Sequence, residues 1–325
     1  MTPAAQAATR LGVIRNPTSQ RNRRRMAIKH PRHSAVELVE IEPRSKDDLP
    51  EVVEEMSQRE IRHLVVDGGD GTLRDVMTAL PAAYGHALPT LTLFAGGNAN
   101  LASADVGTAG HGTAAMAALL ASLAQPDGGK RVRRAPIQVR WPDDSHKPVL
   151  GFFIGAAGFY HGWKLARSSV HQRGLLHGPA VAATIAAAAF KSLAGSSRNQ
   201  WQSGTAMDVA IDEVPNAEGS RFLFIATSLH RLYGSLWPFF DHGDHSIRWL
   251  DIAAPPPKFA RALPSLLRGR PRPWLRESGA YRSGGASQIS LRLETPLVID
   301  GEVHTPGAYG IVELHSGPEI EFYTP

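Results

Sequence analysis

Val65-Val66-Asp67-Gly68-Gly69-Asp70-Gly71-Thr72-Leu73-Arg74-Asp75-Val76 is the stretch that decides how this chain folds. The apolar run His63-Leu64-Val65-Val66 leading into it reads as the end of a buried parallel strand. Leu73 to Leu80 has helical spacing. Strand, glycine loop and helix together form the geometry in which backbone amides converge on phosphate at a positive helix N-terminus. The loop lacks both the Gly-Lys-Ser/Thr ending of a P-loop and the Gly-x-Gly-x-x-Gly spacing of a dinucleotide fingerprint. Asp70, at its centre, is the odd feature. A carboxylate beside phosphates repels them unless it binds a metal or takes a proton from a substrate hydroxyl. The bland alternative is a tight turn whose glycines serve backbone geometry alone.

Working outward, Leu11–Ile14 reads as a strand ending in Arg15-Asn16-Pro17-Thr18-Ser19, and Val36–Ile41 as a second strand. Asp47–Arg59 has helical spacing, with Asp47 or Asp48 able to cap it. After the helix that follows Thr72 comes a strand at Thr90–Phe94, ending in Gly96-Gly97-Asn98-Ala99-Asn100, and an alanine- and leucine-rich helix over 113–124. This β-α-β-α-β alternation predicts a parallel sheet with ligands at the strand C-termini. Beyond Gly128-Gly129 the texture changes. Residues 131–154, 207–252, 286–299 and 308–323 alternate like strands, with one helical interruption at about 163–194. The fold expected is an α/β nucleotide-binding domain over 1–130, then a mainly antiparallel β-sandwich over 131–325 that takes the substrate. Residues 255–273, rich in proline and arginine, read as a loop and short helix.

At 325 residues the chain exceeds one typical domain, which fits that division. The absence of cysteine excludes disulfide scaffolding and thiolate metal sites, and fits a reducing cytosol. A formal charge of +5 favours anionic partners. The N-terminus has neither the basic region nor the apolar core of a signal peptide. Val181–Phe190, the most membrane-like stretch, is too short and alanine-rich to span a bilayer that needs about 20 apolar residues. The run Arg21 to Arg25 reads either as a solvated face or as a clamp on nucleotide or lipid phosphates. Nucleic acid is disfavoured, since no aromatic interleaving accompanies it. Trp163, Trp237, Phe239 and Phe240 read as core more readily than as the lining of an acyl cleft.

Four blocks, in order, make the chain resemble bacterial lipid kinases of the diacylglycerol kinase catalytic-domain family, which includes sphingosine kinases. They are Asn16-Pro17-Thr18-Ser19, Gly68-Gly69-Asp70-Gly71-Thr72, Gly97-Asn98-Ala99-Asn100 and the late Asp300-Gly301-Glu302. Gly155-Ala156-Ala157-Gly158-Phe159 and Asp241-His242-Gly243-Asp244 are weaker echoes. The glycine-acid loop alone is shared with NAD kinases; its pairing with Asp-Gly-Glu is more specific. Arg74 and Asp75 stand where the family usually has Asn-Glu, Asn98 replaces a threonine, and Glu42 lies near where a nucleotide-contacting threonine is often seen.

The resemblance implies transfer of the γ-phosphoryl group of ATP, with Mg²⁺, to the hydroxyl of a membrane lipid such as diacylglycerol, with catalysis in a cleft between domains. It implies a cytoplasmic protein peripheral to the inner membrane surface, with no transmembrane segment and a homodimer left open. Within the second domain, the C-terminal segment is left free to pack back on the first. Asn16, Ser19, Asp67, Gly68, Gly69, Gly71, Thr72, Leu73, Asn98 and Asn100 are the expected nucleotide-binding residues. For Asn98 and Asn100 a plain helix cap is an equal reading. Glu302 is the expected general base, because an alcohol needs a carboxylate within hydrogen-bond reach. Asp70 is the second choice, as a base or a Mg²⁺ ligand. Asp300-Gly301 is also a strong turn signal in its own right. Asp244 is the candidate metal ligand, and the flanking His242 and His245 fit a solvated turn better than a zinc site. The rival readings are a non-catalytic or altered-specificity lipid- or nucleotide-binding relative and an NAD kinase.

Overall fold

The computed structural model describes residues 9–19, 22, 36–97, 100–171, 203–212, 214–232, 234 and 236–325. The chain divides into two compact units, Met1–Arg134 with Glu319–Pro325, and Ala135–Pro318.

The first unit is built on strands β1 (Thr9–Arg15), β2 (Val36–Ile41), β3 (His63–Gly68), β4 (Thr90–Ala95) and β5 (Lys130–Arg134), together with the C-terminal strand Ile320–Thr324. Their order is β2-β1-β3-β4, then the C-terminal strand, then β5. The first five run parallel, and β5 pairs antiparallel with the C-terminal strand at the edge. Every residue of β3 is buried, as expected of a central parallel strand flanked on both sides. Leu11, Val13, Val65 and Phe94 share one apolar cluster with Met116, Leu119 and Leu120 of helix α4 (Gly112–Leu123). Each such side chain contributes about 1.5–3 kcal/mol of burial. On the helix expected at 47–59, Ser45 caps a tight turn over Lys46–Asp48 in a capping box, and helix α1 (Leu49–Gln58) follows with Pro50 in its first turn. Asp48 works backward, accepting the amide hydrogens of Arg44 and Ser45.

His63 fastens the C-terminal strand. Thr92 Oγ1 donates to the Tyr323 carbonyl at 3.1 Å and lies 2.8 Å from His63 Nε2, so His63 is the donor to Thr92 and carries its proton on Nε2. The Tyr323 ring meets the imidazole edge-on at 5.5 Å. Burial, helped by the Arg131 charge and opposed by Glu321, lowers the His63 pKa from 6.5 to about 4. The unfolded state therefore binds the proton first. Stability is complete above pH 6.5 and falls by about 3 kcal/mol as the pH drops from there to about 4. Urea unfolding at pH 7 and pH 4 should show this loss in the wild type and a much smaller one in His63→Gln. An equal loss in both would remove His63 as its source.

The second unit is antiparallel throughout. Its strands are β6 (Ile137–Arg140), β7 (Val149–Gly151), β8 (Phe153–Ala157), β9 (Thr205–Ile211), β10 (Val214–Ala217), β11 (Ser220–Thr227), β12 (Ile247–Ala253), β13 (Tyr281–Ala286), β14 (Gln288–Leu293), β15 (Leu297–Ile299), β16 (Glu302–His304) and β17 (Ile311–Ser316). They form one curled network, joined in its middle by the pairing of β9 with β11. The mainly antiparallel second half is as expected, with its two faces linked by hydrogen bonds into a single sheet. Its inner face closes on one core that includes Val209, Phe224, Trp249, Leu291 and Leu314. Phe239 and Phe240 are buried as core residues. Helix α5 spans Gly158–His171, and the remainder of the helix expected up to 194, with Val181–Phe190, lies outside the described residues. The 308–323 stretch is two strands, broken at Gly317-Pro318, and they belong to different units. No described helix is long and apolar enough to cross a membrane.

Candidate active site

In the order β2-β1-β3-β4 the chain leaves β1 toward β2 on one side and β3 toward β4 on the other. The loops after β1 and β3 therefore part and open a crevice at the strand C-termini, where ligands of open α/β sheets bind. Asn16 bridges that crevice. Its backbone N–H donates to the Asp67 carbonyl at 2.9 Å, and its Nδ2 donates to Thr72 Oγ1 at 2.8 Å. Its Oδ1 accepts from the N–H and the hydroxyl of Thr18, at 2.9 and 2.7 Å. Asn22, a residue the sequence did not single out, donates from Nδ2 to the carbonyls of Asn16 and Asp67. Ser19 donates its N–H to the Asn16 carbonyl, while its hydroxyl is buried with no hydrogen-bond partner. An orphaned buried hydroxyl at the mouth of a glycine loop is a group suited to a ligand oxygen.

The glycine loops after β3 and β4 lie against each other. Gly96 N–H donates to the Gly68 carbonyl at 2.9 Å. A β-carbon on Gly97 would stand 2.4 Å from Gly69 Cα, and one on Gly68 would strike the Thr72 side chain at 2.6 Å. These glycines are required by the packing of the loops themselves. Gly71 is different, because a β-carbon there would meet nothing within 4 Å. That face of the loop is open. Leu73 is buried in the core behind the loop.

Asp70, the first residue of helix α2 (Asp70–Tyr84), caps another helix. Its Oδ2 and Oδ1 accept the amides of Leu101 and Ala102 at 3.1 and 3.2 Å, at the start of α3 (Leu101–Val106). Burial pushes its carboxyl pKa up, against the downward pull of those amides. Asn100, in the left-handed region at φ 48, makes a reciprocal pair with the Gly97 backbone, Oδ1 accepting at 3.1 Å and Nδ2 donating at 2.8 Å. Asp70, Asn100 and Ser103 supply the polar lining of a cavity of about 10 Å³, the size of one water. Asn98 and the Arg21–Arg25 run lie outside the described residues. Arg74 is buried, and its Nε and Nη2 reach Asp75 Oδ1 at 3.0 and 2.6 Å. The two departures from the usual Asn-Glu thus pair with each other behind the loop.

In the second unit, Asp300 and Gly301 both have positive φ, 45 and 82, and form a two-residue hairpin turn between β15 and β16. The Asp300 carboxylate accepts the N–H groups of Phe152 and Phe153 at 2.8 and 2.9 Å, which pins the turn to β8. Glu302, half-buried, opens β16 opposite Ile299. Asp244 is exposed in its turn, where Asp241 pairs with Arg276 at 2.8 Å. Among the described residues no three His, Asp or Glu side chains converge in a metal-holding group.

The model of the Diacylglycerol kinase catalytic domain family matches residues 10–128, the segment that carries the crevice and both glycine loops. The fold extends the likeness over nearly the whole chain. Three solved structures described as diacylglycerol kinases or putative diacylglycerol kinases, all from Bacillus anthracis str. Sterne, superimpose on it. The first is 14% identical, covers 98% of each chain and has a TM-score of 0.62. The second is 13% identical, covers 98% of this chain and 97% of its own, and has a TM-score of 0.60. The third is 12% identical with the same coverage and a TM-score of 0.58. At these identities they show the fold alone. No curated protein matches the chain.

Proposed function

We propose that this protein is a lipid kinase that moves the γ-phosphoryl group of ATP to the hydroxyl of a membrane lipid alcohol of the diacylglycerol kind. The observation that carries this reading is the crevice of the first unit, with Asn16 tied to Thr72 and Gly71 open, within the segment that the model of the diacylglycerol kinase catalytic domain matches. Phosphoryl transfer is mostly positioning and charge stabilisation, and tied hydrogen-bond donors on rigid strand ends supply the positioning. Asn16, Ser19, Gly71 and Thr72 line the phosphate side. Asp70, with both oxygens already accepting amides, serves to hold the loop.

Magnesium, the metal such a reaction uses, neutralises phosphate charge. Among the described residues no cage of metal ligands is preformed, which suits an ion that arrives on the triphosphate with its waters. Glu302 is assigned as general base. It takes the proton of the lipid hydroxyl as that oxygen bonds to the γ-phosphorus and the bond to the β-γ bridging oxygen breaks, releasing ADP. The protein would meet its lipid at the cytoplasmic surface of the membrane, as a peripheral protein.

The direct test is purified protein with γ-labelled ATP, Mg²⁺, a panel of lipid alcohols and NAD. Label in a lipid phosphate is expected. Label only in NADP would sink the reading, and bound ATP with no turnover on any acceptor would favour a binding protein. Gly71→Ala separates folding from binding. Alanine in the first turn of α2 should leave the protein as stable as before, or up to about 1 kcal/mol more stable. ATP affinity should fall at least about tenfold, because the new methyl occupies the ligand's approach. Unchanged affinity by calorimetry would move the phosphates away from Gly71.

A further inference from the structure

Arg15, the last residue of β1, has a side chain only 6% exposed. Its Nη1 donates to Glu42 Oε1 at 2.6 Å, and its Nε lies 3.7 Å from Asp67 Oδ2 without a hydrogen bond. One guanidinium thus links the C-terminal ends of β1, β2 and β3 at the floor of the crevice. Both carboxylates face the same guanidinium. Arg15 is therefore already neutralised, and the group is no clamp for a triphosphate. What it leaves available is an acceptor. Glu42 is 43% exposed, with Oε1 held by Arg15 and Oε2 carrying no hydrogen bond from the described residues. A carboxylate oriented at one oxygen and open at the other suits a neutral hydroxyl or amino donor.

We propose that Glu42, positioned by Arg15, accepts a hydrogen bond from a ribose hydroxyl of the nucleoside triphosphate, and so makes this site select ribonucleotides over deoxyribonucleotides. The inference rests on the nucleotide reading of the crevice given above. Ribose is favoured over the base because Arg15 adjoins Asn16 in the chain and Asn16 is tied to Thr72, on the phosphate side. The sugar is the part of the ligand bonded directly to the phosphates, and the base lies one unit further away. In doubly wound sheets an acid at this place, just beyond the second strand, is well sited for ribose hydroxyls.

Calorimetric titration of the full chain with the Mg²⁺ complexes of ATP, 2′-deoxy-ATP and 3′-deoxy-ATP tests this. The wild type should bind at least one deoxy analogue about tenfold more weakly than ATP, the usual cost of losing a hydrogen bond to a charged group. Glu42→Gln, which keeps an acceptor oxygen for Arg15, should narrow that gap to within about threefold. Equal affinity of the wild type for all three ligands overturns the inference and leaves the nucleotide reading standing. A gap unchanged in Glu42→Gln also overturns it. Absence of ATP binding to the wild type overturns the nucleotide reading itself, and the inference with it.

Discussion

Glu302→Gln should lower lipid phosphorylation about 100- to 10,000-fold while leaving ATP affinity and thermal stability near those of the wild type. The size follows from the step it removes. An alcohol attacks poorly while it keeps its proton, and a glutamine amide is isosteric with the carboxylate yet cannot accept that proton at neutral pH. The specificity follows from the hairpin. Asp300, through the Phe152 and Phe153 amides, fixes the turn that precedes Glu302, so the substitution leaves the backbone at β16 as it was. Asp300→Ala should behave differently, costing stability as well as activity, because two backbone N–H groups lose their acceptor. Initial rates with labelled ATP at saturating lipid, alongside ATP titrations, separate these cases. A Glu302→Gln protein that keeps more than a tenth of wild-type turnover would end the assignment of Glu302 as base. A drop confined to ATP affinity would instead place Glu302 among the nucleotide contacts.

The parts of this protein that were legible in its sequence are those whose signals are local. Leu64 to Val66 with the following glycines announced a central strand and its loop, and the alternation of such strands with helical spacing announced a parallel sheet. The antiparallel second half was legible for the same reason. What stayed hidden depends on partners far away in the chain. Helix α3 has six residues and no capping side chain of its own, because its cap is Asp70, over thirty positions earlier. The central acid of the loop therefore looked purely chemical while it also holds two elements together. Arg15 read as the polar end of a strand, whereas Glu42 and Asp67 bury it. Alternation continues across Gly317-Pro318, so the pattern over 308–323 does not mark where the polypeptide passes from one unit to the other.

The largest stability effect should come from Asp251→Ala. Asp251 is 2% exposed on β12 and sits between two arginines. Arg221 Nε lies 3.1 Å from Oδ1, and Arg282, directly opposite in β13, places Nη2 3.2 Å from Oδ2. Burial pushes the Asp251 carboxyl up against the pull of both guanidiniums. The ion cluster is thus poorly solvated and depends on all of its members. Without the carboxylate, Arg221 at 4% exposure loses its buried countercharge, which costs about 3–5 kcal/mol. For a domain of this size that is a fall of roughly 10 °C in melting temperature. Arg221 cannot escape to water easily, since its Nη1 and Nη2 also donate to the Ser220 and Glu218 carbonyls. Replacing all three residues by apolar ones of similar volume should recover most of the loss, because the desolvation cost of the charges then disappears along with their attraction. The contrast between the single and triple variants distinguishes a cluster that is costly to break from one that supplies net stability. A triple variant as unstable as Asp251→Ala would show that the pairing of β11, β12 and β13 draws net stabilisation from these charges.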